Sequence, residues 1–171
     1  MASLKEVVEA LTELVSATNT ITSCPEKPLE IPGIAVADAF DAGDCFGTVM
    51  TIIVPKKGIL YGATYFDLDD EGSQIDLEVF KHSITQIASD AAWAPSDTDI
   101  LNFIAEIQFV GAAFDDHGTC QTCETRNLGI AYTAPVGKLY IQAVCRGTPN
   151  IAAGNVPRVQ LHILSLDTEW R

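Results

Sequence analysis

Two stretches of this chain place residues that could do chemistry at suggestive spacing. In "DLDDEGSQIDLE", residues 67–78, Asp67, Asp69 and Glu71 sit two apart, Gly72 takes the sixth position and Glu78 the twelfth. That is the order in which a calcium-binding helix–loop–helix places its oxygen ligands, its turn glycine and its bidentate carboxylate. In "DDHGTCQTC", residues 115–123, His117, Cys120 and Cys123 are spaced to close on one soft or borderline metal ion.

Both patterns have weak surroundings. The calcium loop needs flanking helices, whereas "GILYGATYF" before it and "IDLEVF" after it alternate with period two, and Gln74 stands where a hydrophobe would join a paired loop. A strand, a tight acidic turn at "DDEG" and a return strand is the better expectation, with Asp76 and Glu78 on the outward face of the return strand. Asp67, Asp69 and Glu78 then remain only as ligands of a looser surface cation site. For His117, Cys120 and Cys123, structural zinc asks for a fourth ligand, and no second CxxC or CxxH supplies one. A disulfide from one of these two cysteines, or free thiols in a loop, is the expectation. Five cysteines, an odd number, cannot all pair within one chain. Cys45 and Cys145 read as small buried hydrophobes.

Other chemistry finds little support. There is no GxSxG elbow and no glycine-rich phosphate loop, and His82, His117 and His162 sit in unrelated settings, His82 and His162 reading as strand surface. Neither a catalytic group, a metal centre nor a cofactor is therefore expected. Lys and Arg number 10 against 23 Asp and Glu, for a formal charge of -13. Such a balance repels phosphate backbones and anionic membrane surfaces, and no apolar run is long enough to span a bilayer. No nucleic-acid or membrane partner is expected. At 47% hydrophobic residues, the chain is apolar for one so acidic, which points to apolar surface covered by partner proteins.

The elements that would position these residues are mostly strands. Residues 3–17 form the one convincing helix: Ser3 and Glu6 make a capping box, and Leu4, Val7, Val8, Leu11, Leu14 and Val15 repeat on one face. Residues 18–33 hold Pro25, Pro28 and Pro32 and read as an extended linker or arm. Beyond them come seven or eight short β runs divided by Gly, Pro, Asp and Asn, the clearest being "KLYIQAVCRG" and "PRVQLHILS". One helical turn is expected in "APSDTDILNF", capped by Ser96 or Asp97. Trp93, Tyr65, Phe80 and Tyr132 are expected in the core, with an interface as the alternative. The fold class is all-β: an antiparallel jelly-roll-like sandwich over 34–171, preceded by a helix and arm over 1–33.

The order of these elements resembles a group of tailed-bacteriophage virion proteins. The likeness covers about Gly58 to Ser165, and its most specific parts are "DLDDEG", "SDAAWAPSD" and "RGTPNIAAGNVPR". The group is similar to jelly-roll capsid decoration, or cement, proteins. That resemblance implies a non-enzymatic homotrimer on the capsid exterior, made in the host cytoplasm, that clamps adjacent major capsid proteins. A head-fibre or tail receptor-binding sandwich is the alternative, and a cupin-like small-molecule binder a further one. Contact through the helix stripe (Leu4, Val7, Leu11, Leu14) and the arm (Pro25, Pro28, Leu29, Ile31, Pro32) is the expectation for the virion role. Cys145 stands where the group more often has a small residue, and "DDHGTCQTC" lies outside the resemblance.

Overall fold

The computed structural model describes residues 3–6, 8, 21–34 and 39–167. Nine strands make two antiparallel sheets: β1 (Ile21–Glu30), β9 (Arg158–Ser165), β3 (Lys57–Asp67), β7 (Gln121–Thr133) and β6 (Phe114–Asp116) in one, and β2 (Met50–Ile53), β8 (Lys138–Cys145), β4 (Ile75–Phe80) and β5 (Phe103–Phe109) in the other. From β1 to β4, successive strands alternate between the sheets, and they do so again from β7 to β9. This interleaving is that of a jelly roll, with β6 added as a short edge strand paired to β7.

Period two explains most of the sandwich. In β9, Val159, Leu161 and Ile163 point into the core while Arg158, Gln160 and His162 face outward, as expected. Leu139, Ile141, Ala143 and Cys145 do the same from β8. In β3 the phase slips between Leu60 and Gly62, where the pairing with both β7 and β9 shifts register. Leu60 before this bulge and Ala63 and Tyr65 after it all reach the core. Gly62 is required there because a Cβ would lie 2.4 Å from the Thr125 carbonyl oxygen. Tyr65, Phe80 and Tyr132 are buried as expected, and Trp93 is half-buried with its ring 6.1 Å from that of Phe80.

Helix α1 (Asp97–Ile100) is the expected turn, with Ser96 Oγ accepting from the Asp99 N–H at 3.1 Å. The capping box at the N-terminal helix is also present: Ser3 N–H donates to Glu6 Oε2 at 2.6 Å, and Glu6 N–H to Ser3 Oγ at 3.3 Å. Leu4–Glu6 and Val8 are helical; Val7, Leu11 and Leu14 lie outside the described residues.

Four expectations change. The stretch read as a linker contains β1, an edge strand whose bulge between Cys24 and Leu29 accommodates Pro25 and Pro28. Gln160 Nε2 secures the bulge, donating to the Pro25 and Glu26 carbonyls at 2.9 Å each. The sandwich thus starts at residue 21, and Ile31 is fully buried in its core. Next, the "DDEG" turn closes no hairpin, because β3 and β4 belong to different sheets. Residues 115–123, read as a loop, lie instead in a β6–β7 hairpin. His82 lies in a bend after β4 and on no strand.

Removal of residues 1–20 should leave cooperative unfolding intact, with the melting temperature shifted by a few degrees at most. Removal of 1–33 strips a sheet edge along with buried Ile31 and Cys24, whose burial is worth on the order of 3–5 kcal/mol. Its melting temperature should fall by about 10 °C or more, as read by circular dichroism.

Candidate functional site

The residues nominated by spacing do not converge. Asp67 ends β3, buried, and its carboxylate is spent on the turn that follows, accepting from Asp69 N–H at 3.1 Å and Gly72 N–H at 2.7 Å. Asp69 reaches the opposite way. Its two oxygens accept from Ala152 N–H and Asn155 Nδ2, both at 2.7 Å, and so anchor the 146–157 loop. Glu78 stands apart on β4, in the other sheet. In the β6–β7 hairpin, His117 Nε2 is 2.9 Å from Thr122 Oγ1 and the His117 N–H donates to the Cys120 carbonyl. Cys123 is buried in the core beside Tyr65, its thiol pushed up by burial, while Cys120 is half-exposed. All five cysteines are free thiols, and among the described residues no three His, Cys, Asp or Glu side chains form a metal-binding group.

The titratable cluster that the fold does assemble lies on the outer face of the four-stranded sheet. Cross-strand register sets Val144, Asp76 and Gln108 in one row and Gln142, Glu78 and Glu106 in the next. Tyr140, Phe80 and Phe103 make a third. Although they alternate with core residues as expected, Asp76 and Glu78 are 1% and 7% exposed. Arg146, just beyond β8, covers them: its Nε lies 2.5 Å from Asp76 Oδ2, and one terminal nitrogen lies 3.5 Å from Glu78 and 3.4 Å from Glu106.

One cation among three carboxylates leaves the cluster negative, and Glu78 bears the consequence. Burial and the facing Glu106 push its carboxyl up to about 7 against the pull of Arg146. Gln142, directly opposite, is fully buried, donates to the Gly47 and Ala143 carbonyls, and leaves its Oε1 without a partner. Glu78 and Glu106 stand directly opposite each other on β4 and β5, and both lie against one terminal nitrogen of Arg146, so their carboxylates serve as partners of that guanidinium.

A second polar row crosses the five-stranded sheet. Ser23 Oγ is 3.3 Å from His162 Nδ1, while His162 Nε2 is 2.8 Å from Thr64 Oγ1 and 3.8 Å from Glu124. Hydroxyl, imidazole and carboxylate stand in the sequence of a nucleophilic triad, and burial holds the imidazole below its usual range, neutral at pH 7. The row nevertheless lies on a sheet face, where β9 pairs with β1 on one side and β3 on the other. The neighbouring β9 amides are taken up by those ladders, so they cannot serve as oxyanion donors. His162 also faces away from the core, and with His82 in a bend the described residues do not supply the inward histidine set of a cupin centre.

The remaining feature is apolar. At the end where β2, β4, β7 and β9 finish and β1, β3, β5 and β8 begin, Ile21, Ile53, Ile100, Leu101, Phe103, Val136 and Leu166 are all exposed. Of the other large apolar side chains exposed among the described residues, Leu4 and Val8 lie on the N-terminal helix and Val110 at the opposite end. Neither Arg146 and Glu106 nor this apolar end stood out in the sequence. Alternation marked which side chains face outward, but the strand order that gathers them is non-local.

Comparison with family models, with curated proteins and with solved structures returned no match of this chain to any of them.

The folded pKa of Glu78, about 7, lies above its ordinary 4.5, so the folded state binds the extra proton between these values. Its contribution to stability is therefore present at low pH and lost as pH rises through 7. Glu78→Gln should gain on the wild type by on the order of 1–3 kcal/mol between pH 5 and pH 8. Parallel denaturation profiles at the two pH values would contradict a protonated Glu78.

Proposed function

We propose that this chain is a virion structural protein: a jelly-roll decoration protein that sits on the capsid exterior of a tailed bacteriophage as a homotrimer and clamps adjacent major capsid proteins. The observation that carries the reading is the distribution of exposed apolar side chains, gathered at one end of the sandwich and on the capped N-terminal helix. Surface of this kind is what a protein presents to other proteins.

The phage-like stretches add support of a second kind. "DLDDEG" and "RGTPNIAAGNVPR" are hydrogen-bonded to each other through Asp69, and "SDAAWAPSD" both caps α1 and, through Ala91 and Trp93, pairs with residues 43–45. These motifs are corner pieces of the sandwich, so the sequence likeness and the jelly roll speak for the same architecture. Clamping suits such a molecule energetically. Each copy in a trimer engages its own capsomer, and individually modest contacts then reinforce one another through effective concentration. The helix stripe and the arm residues Pro25, Pro28, Leu29 and Pro32 are the contact elements in this reading, gripping the capsid or joining the copies of the trimer; Ile31, being buried, acts from within the core.

Sedimentation with expanded capsids of the encoding phage, assembled without this chain, tests the role. The full chain should pellet at a fixed ratio to the major capsid protein, and residues 21–171 should stay in the supernatant. Full chain remaining in the supernatant at micromolar concentration would refute the proposal.

A further inference from the structure

We infer that the apolar end of the sandwich is the docking surface for the N-terminal helix of a second copy of this chain. The inference deepens the virion reading by naming the self-contact of the oligomer, yet it stands on features of the surface that would operate whatever the oligomer decorates.

The end is continuous in the backbone. Ile21 pairs with Leu164, Leu166 N–H donates to the Lys57 carbonyl, Ala134 N–H to that of Lys56, and Val54 N–H to that of Gly137. Ile53 pairs with Lys138, and Phe80 with both Tyr140 and Phe103. These links place the exposed apolar residues around one rim.

The same rim carries charge of the sign that the chain as a whole lacks. The chain has six lysines, at positions 5, 27, 56, 57, 81 and 138, against a net charge of -13. Lys56 and Lys57 lie between β2 and β3, Lys81 directly follows β4, and Lys138 opens β8, so four of the six stand at this end, beside Asp97, Asp99 and Asp167.

The occupant is written in the first twenty residues. That segment carries one lysine against Glu6, Glu9 and Glu13, and its apolar stripe begins with Leu4 and Val8 and runs on in sequence through Val7, Leu11, Leu14 and Val15. Of the stripe residues that the structure describes, Leu4 is 80% and Val8 52% exposed. An acidic segment with an apolar stripe at helical spacing matches an apolar rim studded with lysines, in both apolar and charge character. Because the segment enters the sheet at Ile21, on this same rim, copies that exchange helices bring their equivalent ends together.

Charge exchange tests the pairing, read by native mass spectrometry at about 10 μM with circular dichroism to confirm folding. The full chain should be oligomeric, and residues 21–171 should be a folded monomer. Lys56→Glu/Lys57→Glu/Lys138→Glu should lower the oligomer fraction by about tenfold, as should Glu6→Lys/Glu9→Lys/Glu13→Lys, and the two sets combined in one chain should restore it. A monomeric full chain, an oligomer that survives removal of residues 1–20, or two charge sets that fail to rescue each other would each overturn the inference. Capsid sedimentation by a monomeric full chain would leave the virion role standing, whereas a helix-exchanged oligomer that ignores capsids would separate the two in the other direction.

Discussion

The guanidinium of Arg146 lies across Asp76, Glu78 and Glu106, and the outer face of the four-stranded sheet depends on it. All six residues of β4 are buried, so this strand has no solvent face on which to leave its carboxylates. Two buried acids without a counter-ion would cost several kilocalories per mole, enough to oppose most of the net stability of a domain. A single arginine offsets that cost incompletely, and the remaining imbalance pushes the carboxyl of Glu78 up to about 7. Because Arg146 also opens the 146–157 loop, which Asp69 pins at its far side, the same charge ties that loop to β4.

Polar rows on both outer faces and apolar side chains gathered at one end give the molecule distinct sides. The outer faces are occupied by internal networks: Arg146 with its acids on one sheet, His162 with Ser23, Thr64 and Glu124 on the other. Neither network leaves an aligned nucleophile with amide donors free to stabilise a charge. The end bearing Ile53, Val136, Leu101 and Phe103, with Leu4 and Val8 on the helix, is where association would remove most apolar surface from water.

How much of this could be read from the sequence varied with the locality of the cause. Strand β9 was legible because its core residues alternate with partly exposed ones, and β8 because Tyr140, Gln142 and Arg146 keep a polar alternation in the sequence although Gln142 is buried. The caps at Ser3 and Ser96 were legible because a cap is satisfied within four residues. β1 was not, since Pro25 and Pro28 break its pattern and the groups that secure the bulge come from Gln160, on the far side of the sequence. The first half of β7 was hidden by polar residues, because an edge hairpin buries little beyond Cys123. Acidic spacing in "DLDDEGSQIDLE" suggested one loop, yet Asp67 and Glu78 went to different sheets, and only the strand order decides that. Burial of Asp76 and Glu78 was equally unreadable, because their counter-ion stands seventy and sixty-eight residues away.

Hydrogen–deuterium exchange on the full chain, compared with residues 21–171 at equal concentration, addresses the central claim that one end of the sandwich is a contact surface. Added protection in the full chain at residues 53–57, 100–103 and 134–138, with residues 67–74 and 110–121 unchanged, is the predicted result. Protection confined to the opposite end, or spread over the outer face of the five-stranded sheet, would contradict it.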